Sequence, residues 1–360
     1  MKSKRNYGLD LFRMFSMFGV IILHLLGHGG ALTAPTTPYN LATLWFLETA
    51  AYPAVNCFVL LAGFVGYRSD KIYPKISNII SIVFTTLFYS LVACFVYGLL
   101  FPQEITLKSI AFSALPVITR QYWFVSAYVG MFLFSPIINL FVCKADRKML
   151  AIATGISIVF AFSALLKDPF GFSGGYSTIW FILLYMLGAI IKKENLLHKL
   201  SVVKGLVCVA VGFAISFGIQ LVFSFLVSPL SALADFFISY CSPTVLLMAI
   251  GWMAIFAKIN PTPVSNKIIG FITPSVFSVY LIHDNPYIRK LFISDRFSFL
   301  NTCNPLTILG IVLISALTIF IVCLLIDFIR VLLFKILRIS QLALFLEDKL
   351  KMLILLFAKA

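Results

Sequence analysis

Residues 9–30 read LDLFRMFSMFGVIILHLLGHGG, an apolar run of 22 residues interrupted by Asp10, Arg13, His24 and His28. A helix rises about 1.5 Å per residue, so this run reaches about 33 Å and can cross the roughly 30 Å hydrocarbon layer of a bilayer. Ionisable side chains are costly at that depth, which makes each one a candidate for function. Their spacing is ordered. At about 100° per residue, Arg13 and His24 point in directions only about 20° apart, separated by about 16 Å of rise. Asp10 and His28 fall within about 60° of the same line. One reading is a local Asp10–Arg13 pair near the interface, with His24 hydrogen-bonded inside a bundle. The other is a polar path with a cation near the cytoplasmic mouth and a base deeper in. His24 lies too deep for its ring to reach the interface, which favours the path.

The rest of the chain fits that opening. Of 360 residues, 61% are hydrophobic and 11% charged, with mean hydropathy +1.04. A soluble domain keeps about a quarter of its residues charged to face water. Apolar runs at 9–30, 45–67, 77–101, 121–142, 149–166, 177–191, 203–227, 241–257, 268–283 and 306–330 predict an all-α polytopic membrane protein of about ten transmembrane helices. The first run carries charges and lacks a small-residue cleavage site, so it reads as a retained helix rather than a signal peptide. Residues 331–360 alternate Leu, Ile and Phe with Lys335, Arg338, Lys349 and Lys351, the pattern of an interfacial amphipathic helix. The division is therefore a ten-helix domain over 1–330 and a cytoplasmic-side tail over 331–360.

Orientation follows from Lys and Arg. With the N-terminus inside, about 21 fall on the cytoplasmic side and about six outside, namely Lys108, Arg120, Lys167, Arg289, Lys290 and Arg296. Both termini are then cytoplasmic, in a multi-pass protein of the cell membrane. The net charge of +15 sits in short clusters between apolar runs, so it serves topology and does not point to nucleic acid. The seven cysteines include no CxxC pair and lie mostly in apolar runs. Neither a zinc site nor a disulfide framework follows, although a Cys241–Cys303 bridge stays open.

Further polar residues mark the other runs. His283 ends the ninth, followed by Asp284 and Asn285, and could be a wet helix end or could face a substrate. Glu48 lies near the outer end of the second run, with Asn56 inside it. Tyr122 and Trp123 open the fourth. Asn often only bridges helices, and aromatic residues at span ends often only sit at the interface. His28, His283 and Asp284 share the outer side without metal-ligand spacing, so no metal is expected. Arg289, Lys290 and Arg296 form a basic group beside His283, suited to an acidic glycan or a sugar phosphate, or simply loop charge.

These residues resemble the membrane acyltransferase 3 family. Gly8-Leu9-Asp10-Leu11-Phe12-Arg13, ten residues and then His24 is similar to the family's opening Arg/Lys, ten residues, His motif. Val55 to Phe64 resembles its second-helix segment, with Ala62-Gly63 where Ser-Gly is more usual. Tyr122-Trp123-Phe124-Val125-Ser126-Ala127-Tyr128 and Tyr280-Leu281-Ile282-His283 follow in the family's order. The resemblance implies a ten-helix fold that transfers an acyl group, usually acetyl, from cytoplasmic acyl-CoA to a hydroxyl of an outer or lipid-linked glycan. Acetyl-CoA is then a co-substrate, and the partners are a saccharide acceptor and membrane lipids. His24 becomes base or acyl carrier, with Arg13 and His283 beside it. Arg68, Lys71, Arg13, Arg147 and Lys148 are expected at the CoA nucleotide, and Glu48, Asn56, Trp123, Tyr122, Asp284 and Arg289 at the acceptor. The family's Arg-x-x-Arg element corresponds to Arg68-Ser69-Asp70-Lys71, where Lys71 lacks the two-pronged grip of arginine. A transporter or flippase for a glycan is the main alternative, a polysaccharide polymerase or a silent scaffold the lesser ones. The chain has no internal repeat of the kind many transporters carry.

Overall fold

A computed structural model describes residues 5–34, 36–163, 168–226 and 236–357. Lys2, Lys4, Lys167 and Lys359, used above for orientation, lie outside these residues. The described chain is helical and contains no strand. In order, the helices are α1 (Tyr7–Leu26), α2 (Pro38–Ala51), α3 (Ala54–Gly66), α4 (Ile76–Leu100), α5 (Leu107–Ala114), α6 (Trp123–Lys144), α7 (Arg147–Ser163) and α8 (Thr178–Lys193). They continue as α9 (Leu196–Lys199), α10 (Val202–Leu226), α11 (Pro243–Phe256), α12 (Pro263–Ile272), α13 (Val276–His283), α14 (Pro286–Phe292), α15 (Pro305–Ile336) and α16 (Ile339–Phe357).

Among the described residues, seven helical units are long and apolar enough to cross a membrane: Tyr7–Leu26, Pro38–Gly66, Ile76–Leu100, Trp123–Lys144, Val202–Ser224, Pro263–His283 and Pro305–Ile336. The other three apolar runs also form helices, but α7, α8 and α11 have only 17, 16 and 14 residues. Helix α8 packs into the bundle, where Trp180, Phe181 and Leu184 are fully buried. The lipid-facing surface is carried by the longer helices. There Leu306 is 80% exposed, Leu133 70% and Phe95 67%, which water would penalise and hydrocarbon tolerates.

Helix α1 is the hub. The Asn6 side chain caps it by accepting the Leu9 N–H at 3.2 Å. It packs against α2, α3, α11, α12, α13 and α15, with Phe12, Ile21, Leu25 and Leu26 wholly buried. Lipid tails are as apolar as leucine, so helices in a bilayer associate through close packing more than through hydrophobic burial. The α3–α8 contact illustrates this. A Cβ on Gly63 would collide with the Tyr185 backbone, and one on Gly188 with the Leu60 backbone.

The chain beyond 330 differs from its sequence-based division. Helix α15 continues to Ile336, and the chain turns at Arg338 (φ 53°) before α16 packs on α4. Glu347 docks this last helix by accepting the Ser77 N–H at 3.1 Å and pairing with Lys351 at 2.8 Å. All seven cysteines, Cys241 and Cys303 included, are free thiols. Between α4 and α6 the chain forms the short α5, opened by a Thr106–Ser109 capping box.

Candidate functional site

Residues from the two ends of the chain meet where α1 and α13 pack together. His24 sits in the last turn of α1 and His283 is the final residue of α13. His283 Nδ1 lies 2.6 Å from the Val279 carbonyl, and His283 Nε2 lies 2.9 Å from His24 Nδ1. A carbonyl can only accept, so His283 Nδ1 carries a proton and donates it. In the neutral pair His283 Nε2 is then bare and accepts from His24 Nδ1–H. This hydrogen-bond order assigns the tautomer of both rings and leaves His24 Nε2 as an unprotonated nitrogen. Among the described residues no hydrogen bond is made to that atom.

The end of α13 is held in place from α6. Tyr122, fully buried, donates its hydroxyl to the Leu281 carbonyl at 2.9 Å and accepts from Asn285 Nδ2 at 2.6 Å. The turn after α1 is tied down as well, because His28 and Gly29 carbonyls accept the Asp295 and Phe297 N–H groups at 3.0 and 2.8 Å.

Asp284 gathers the surrounding charges. Its Oδ1 accepts from Arg289 at 2.9 Å and lies 3.6 Å from His24 Nδ1 and 3.7 Å from His28 Nε2. Arg289 Nη1 also reaches His28 Nε2 at 3.3 Å. Burial first, and then the Arg289 cation, hold His28 below its ordinary value of 6.5, against the pull of Asp284. His24, His28 and Asp284 present possible metal-ligand atoms within 4.8 Å of one another. The geometry does not suit a cation: the Arg289 guanidinium already supplies positive charge there, and His24 Nδ1 is engaged by His283.

Two cavities meet beside α1. A small pocket of about 20 Å³ is lined by His24, Trp123, Tyr240 and Tyr280, with Met17, Val20, Leu23 and Val55. The Tyr280 hydroxyl is buried and has no hydrogen-bond partner among the described residues. The second cavity, about 800 Å³, opens nearer the start of α1 and is lined by Arg13, Tyr128, Arg330 and Lys335 among others. Phe58, Phe124 and Phe277 border both. Arg330 is braced there by Asp327, through bonds of 2.6 and 2.8 Å, and Asp327 in turn accepts from Tyr89 at 2.7 Å.

The structure therefore brings together His24, His283, Asp284 and Arg289, and places Arg13 on the larger cavity. Several other expected residues stand apart. Arg68 pairs with Asp70 at 2.9 Å and Arg147 with Glu194 at 3.1 Å. Neither they nor the exposed Lys71 and Lys148 line that cavity. Asn56 spends its amide on structure, donating to the Tyr240 carbonyl at 2.8 Å and accepting from Trp180 Nε1 at 3.1 Å. Tyr122 braces α13 and does not line the His24 pocket. Trp123 does, stacked on Tyr240 at 5.9 Å. Glu48 is buried nearby with Oε2 unpartnered. The basic group at 289–296 is largely neutralised within the protein. Arg289 serves Asp284, and Lys290 pairs with Glu104 at 2.5 Å. That contact, with help from Tyr97, raises the Lys290 pKa and lowers that of Glu104.

Sequence reasoning missed Tyr280, Arg330, Lys335 and the three phenylalanines. Tyr280 carried a signal, since it lies three residues before His283 on the same helix. Arg330 carried one too, three residues after Asp327 in an apolar run.

The matching family model, described as an acyltransferase domain, covers residues 6–327. No curated protein and no solved structure matches the chain.

Proposed function

The chain belongs to the membrane acyltransferase 3 family, and from that premise we propose that it moves an acetyl group from acetyl-CoA to a hydroxyl of a glycan or lipid-linked saccharide across the membrane. The observation that carries this reading is the hydrogen-bond series from the Val279 carbonyl through His283 to His24, which leaves His24 Nε2 bare in a pocket. Acyl transfer from a thioester to a hydroxyl requires a base so placed.

The two cavities supply donor and acceptor approaches. We assign the larger one, with Arg13, Arg330 and Lys335, to the cytoplasmic side, because both termini and most Lys and Arg residues belong there on the charge count. Its volume of about 800 Å³ falls in the range of ligand sites, and its cations suit the phosphates of CoA. These three residues take the place of Arg68, Lys71, Arg147 and Lys148 as the cationic lining. Arg13 is about 16 Å along α1 from His24, a gap suited to the pantetheine arm. For the acceptor, Trp123 and Tyr240 line the His24 pocket, which has room for an attacking hydroxyl rather than a whole sugar ring, and buried Glu48 keeps one carboxylate oxygen without a hydrogen-bond partner among the described residues.

The step balances as follows. The acceptor oxygen attacks the thioester carbonyl carbon while its proton passes to His24 Nε2. The imidazolium so formed keeps its Nδ1–H bond to His283 and gains from the Asp284 carboxylate 3.6 Å away. The carbonyl oxygen becomes an oxyanion, to which the free Tyr280 hydroxyl donates. The C–S bond then breaks, the carbonyl reforms, and the CoA sulfur takes the proton from His24.

The test is thiol release from acetyl-CoA, and label transfer from its acetyl group, in membranes of the host that makes the protein, which bring the acceptor with them. His24→Ala should lower both by about 10²- to 10⁴-fold. Unchanged release in a folded His24→Ala protein overturns the reading. Movement of a saccharide across the membrane with no thiol release supports a transporter instead.

A further inference from the structure

The residues that line both cavities are all aromatic. Phe58 projects from α3, Phe124 from α6 and Phe277 from α13, and each borders both spaces. On the far side of these rings the room left beside His24 is about 20 Å³. A space of this order holds little more than one water-sized group. The packing behind it is firm. Phe124 meets Phe58 at 6.2 Å, Phe277 at 6.5 Å and Tyr280 at 5.9 Å between ring centroids. Met17, Val20, Leu23 and Val55 supply the aliphatic lining.

We infer that Phe58, Phe124 and Phe277 set the length of acyl chain the protein accepts, restricting donors to the shortest acyl-CoA thioesters. This inference rests on the acyl-transfer reading above. A thioester approaching from the larger cavity brings its carbonyl carbon to His24 with its acyl substituent packed against the faces of these rings, which line the small pocket themselves. An acetyl methyl fits a space of one water. Each further methylene must displace ring or aliphatic carbon, and interiors this close-packed resist even one added methylene. The constriction also keeps water in the larger cavity away from the thioester while the acceptor is absent.

The rings differ in how replaceable they are. Phe124 is buried and touches Tyr280, so its loss would disturb the oxyanion donor. Phe58 and Phe277 are only partly buried. Phe277 also meets Tyr280, at 6.2 Å, whereas among the described residues Phe58 meets only the Phe124 ring, which makes Phe58 the cleaner probe and Phe277 the second. Shortening either should enlarge the room beside His24 without removing a hydrogen bond of the His283–His24 series.

The experiment uses membranes of the producing host and follows thiol release from acetyl-, propionyl-, butyryl- and hexanoyl-CoA, with His24→Ala membranes as background. For the unaltered protein the rate should fall by about 10- to 200-fold with the first added methylene. In Phe277→Ala and in Phe58→Ala, the ratio of butyryl to acetyl rate should rise at least about tenfold, the lower end of the same discrimination. Phe58→Leu, which keeps most of the apolar bulk, should shift the ratio less and guards against misfolding of the alanine variants. Equal rates with acetyl- and butyryl-CoA in the unaltered protein overturn this inference and leave acyl transfer standing. So does an unchanged ratio in all three variants. No thiol release above background from any donor overturns acyl transfer itself, and this inference with it.

Discussion

Replacing His283 tests the arrangement most directly. Its Nε2 is the acceptor for His24 Nδ1–H at 2.9 Å, and the nearest alternative, Asp284 Oδ1, is 3.6 Å away, beyond hydrogen-bonding range. In His283→Ala the buried N–H of His24 is left unpaired, a cost of about 1–3 kcal/mol. Nothing then prevents the proton from moving to Nε2, the atom that must be bare. If the cost falls on the transition state, kcat drops by about 5- to 150-fold. His283→Gln offers a different outcome, since its amide oxygen can accept from His24 while its nitrogen donates to Val279. Initial rates of thiol release over a range of acetyl-CoA concentrations separate kcat from KM, with thermal unfolding measured alongside. The expected result is a lower kcat and unchanged KM in His283→Ala, with most of the loss recovered in His283→Gln. Wild-type kcat in a folded His283→Ala protein, or a change confined to KM, refutes the reasoning.

Three other perturbations give separate readouts. Arg289→Ala leaves the buried Asp284 carboxylate without its 2.9 Å donor, so thermal stability should fall by about 1–3 kcal/mol, with Arg289→Lys intermediate in an unfolding assay. His28, held below 6.5 when folded, binds its proton more readily when unfolded. Its contribution to stability is therefore present above about pH 6.5 and lost as pH falls through the folded value, and His28→Gln should flatten that acid limb of the melting-temperature profile. Gly188→Ala drives a methyl into the Leu60 backbone and should cost about 1–3 kcal/mol, read as a lower melting temperature; no change there would mean α3 and α8 are packed less closely than described.

The parts of this molecule that were legible in its sequence are those that one helix contains. The stripe of Arg13 and His24 could be read because both lie on α1, where spacing fixes direction. The pairing of His24 with His283 could not, because the two are 259 residues apart and only the packing of α13 on α1 brings them together. Asn56 and Tyr122 drew a functional reading because a buried polar group always needs a partner; here the partners are backbone carbonyls and other side chains, so their polarity is spent on holding the fold. Arg330 and Lys335 looked like topology signals because one ends the last apolar run and the other follows it. Their position on the larger cavity depends on α15 extending to Ile336 beside α1, which hydropathy alone does not convey. The short α8 and α11 read as spans by composition, and because burial by neighbouring helices gives the same apolar composition as lipid, hydropathy alone does not separate the two environments.

The proton order at His24 terminates on a main-chain oxygen. A side-chain terminus could be deleted by a single codon change, whereas the carbonyl of residue 279 survives any substitution there that leaves the helix intact. Side-chain substitution at the buried Val279 should thus change stability through packing, while thiol release by the folded Val279→Ala protein stays and the function of the carbonyl goes unseen. Only alterations of helix geometry, such as proline at 280 or 281 or an insertion between 279 and 283, would expose it.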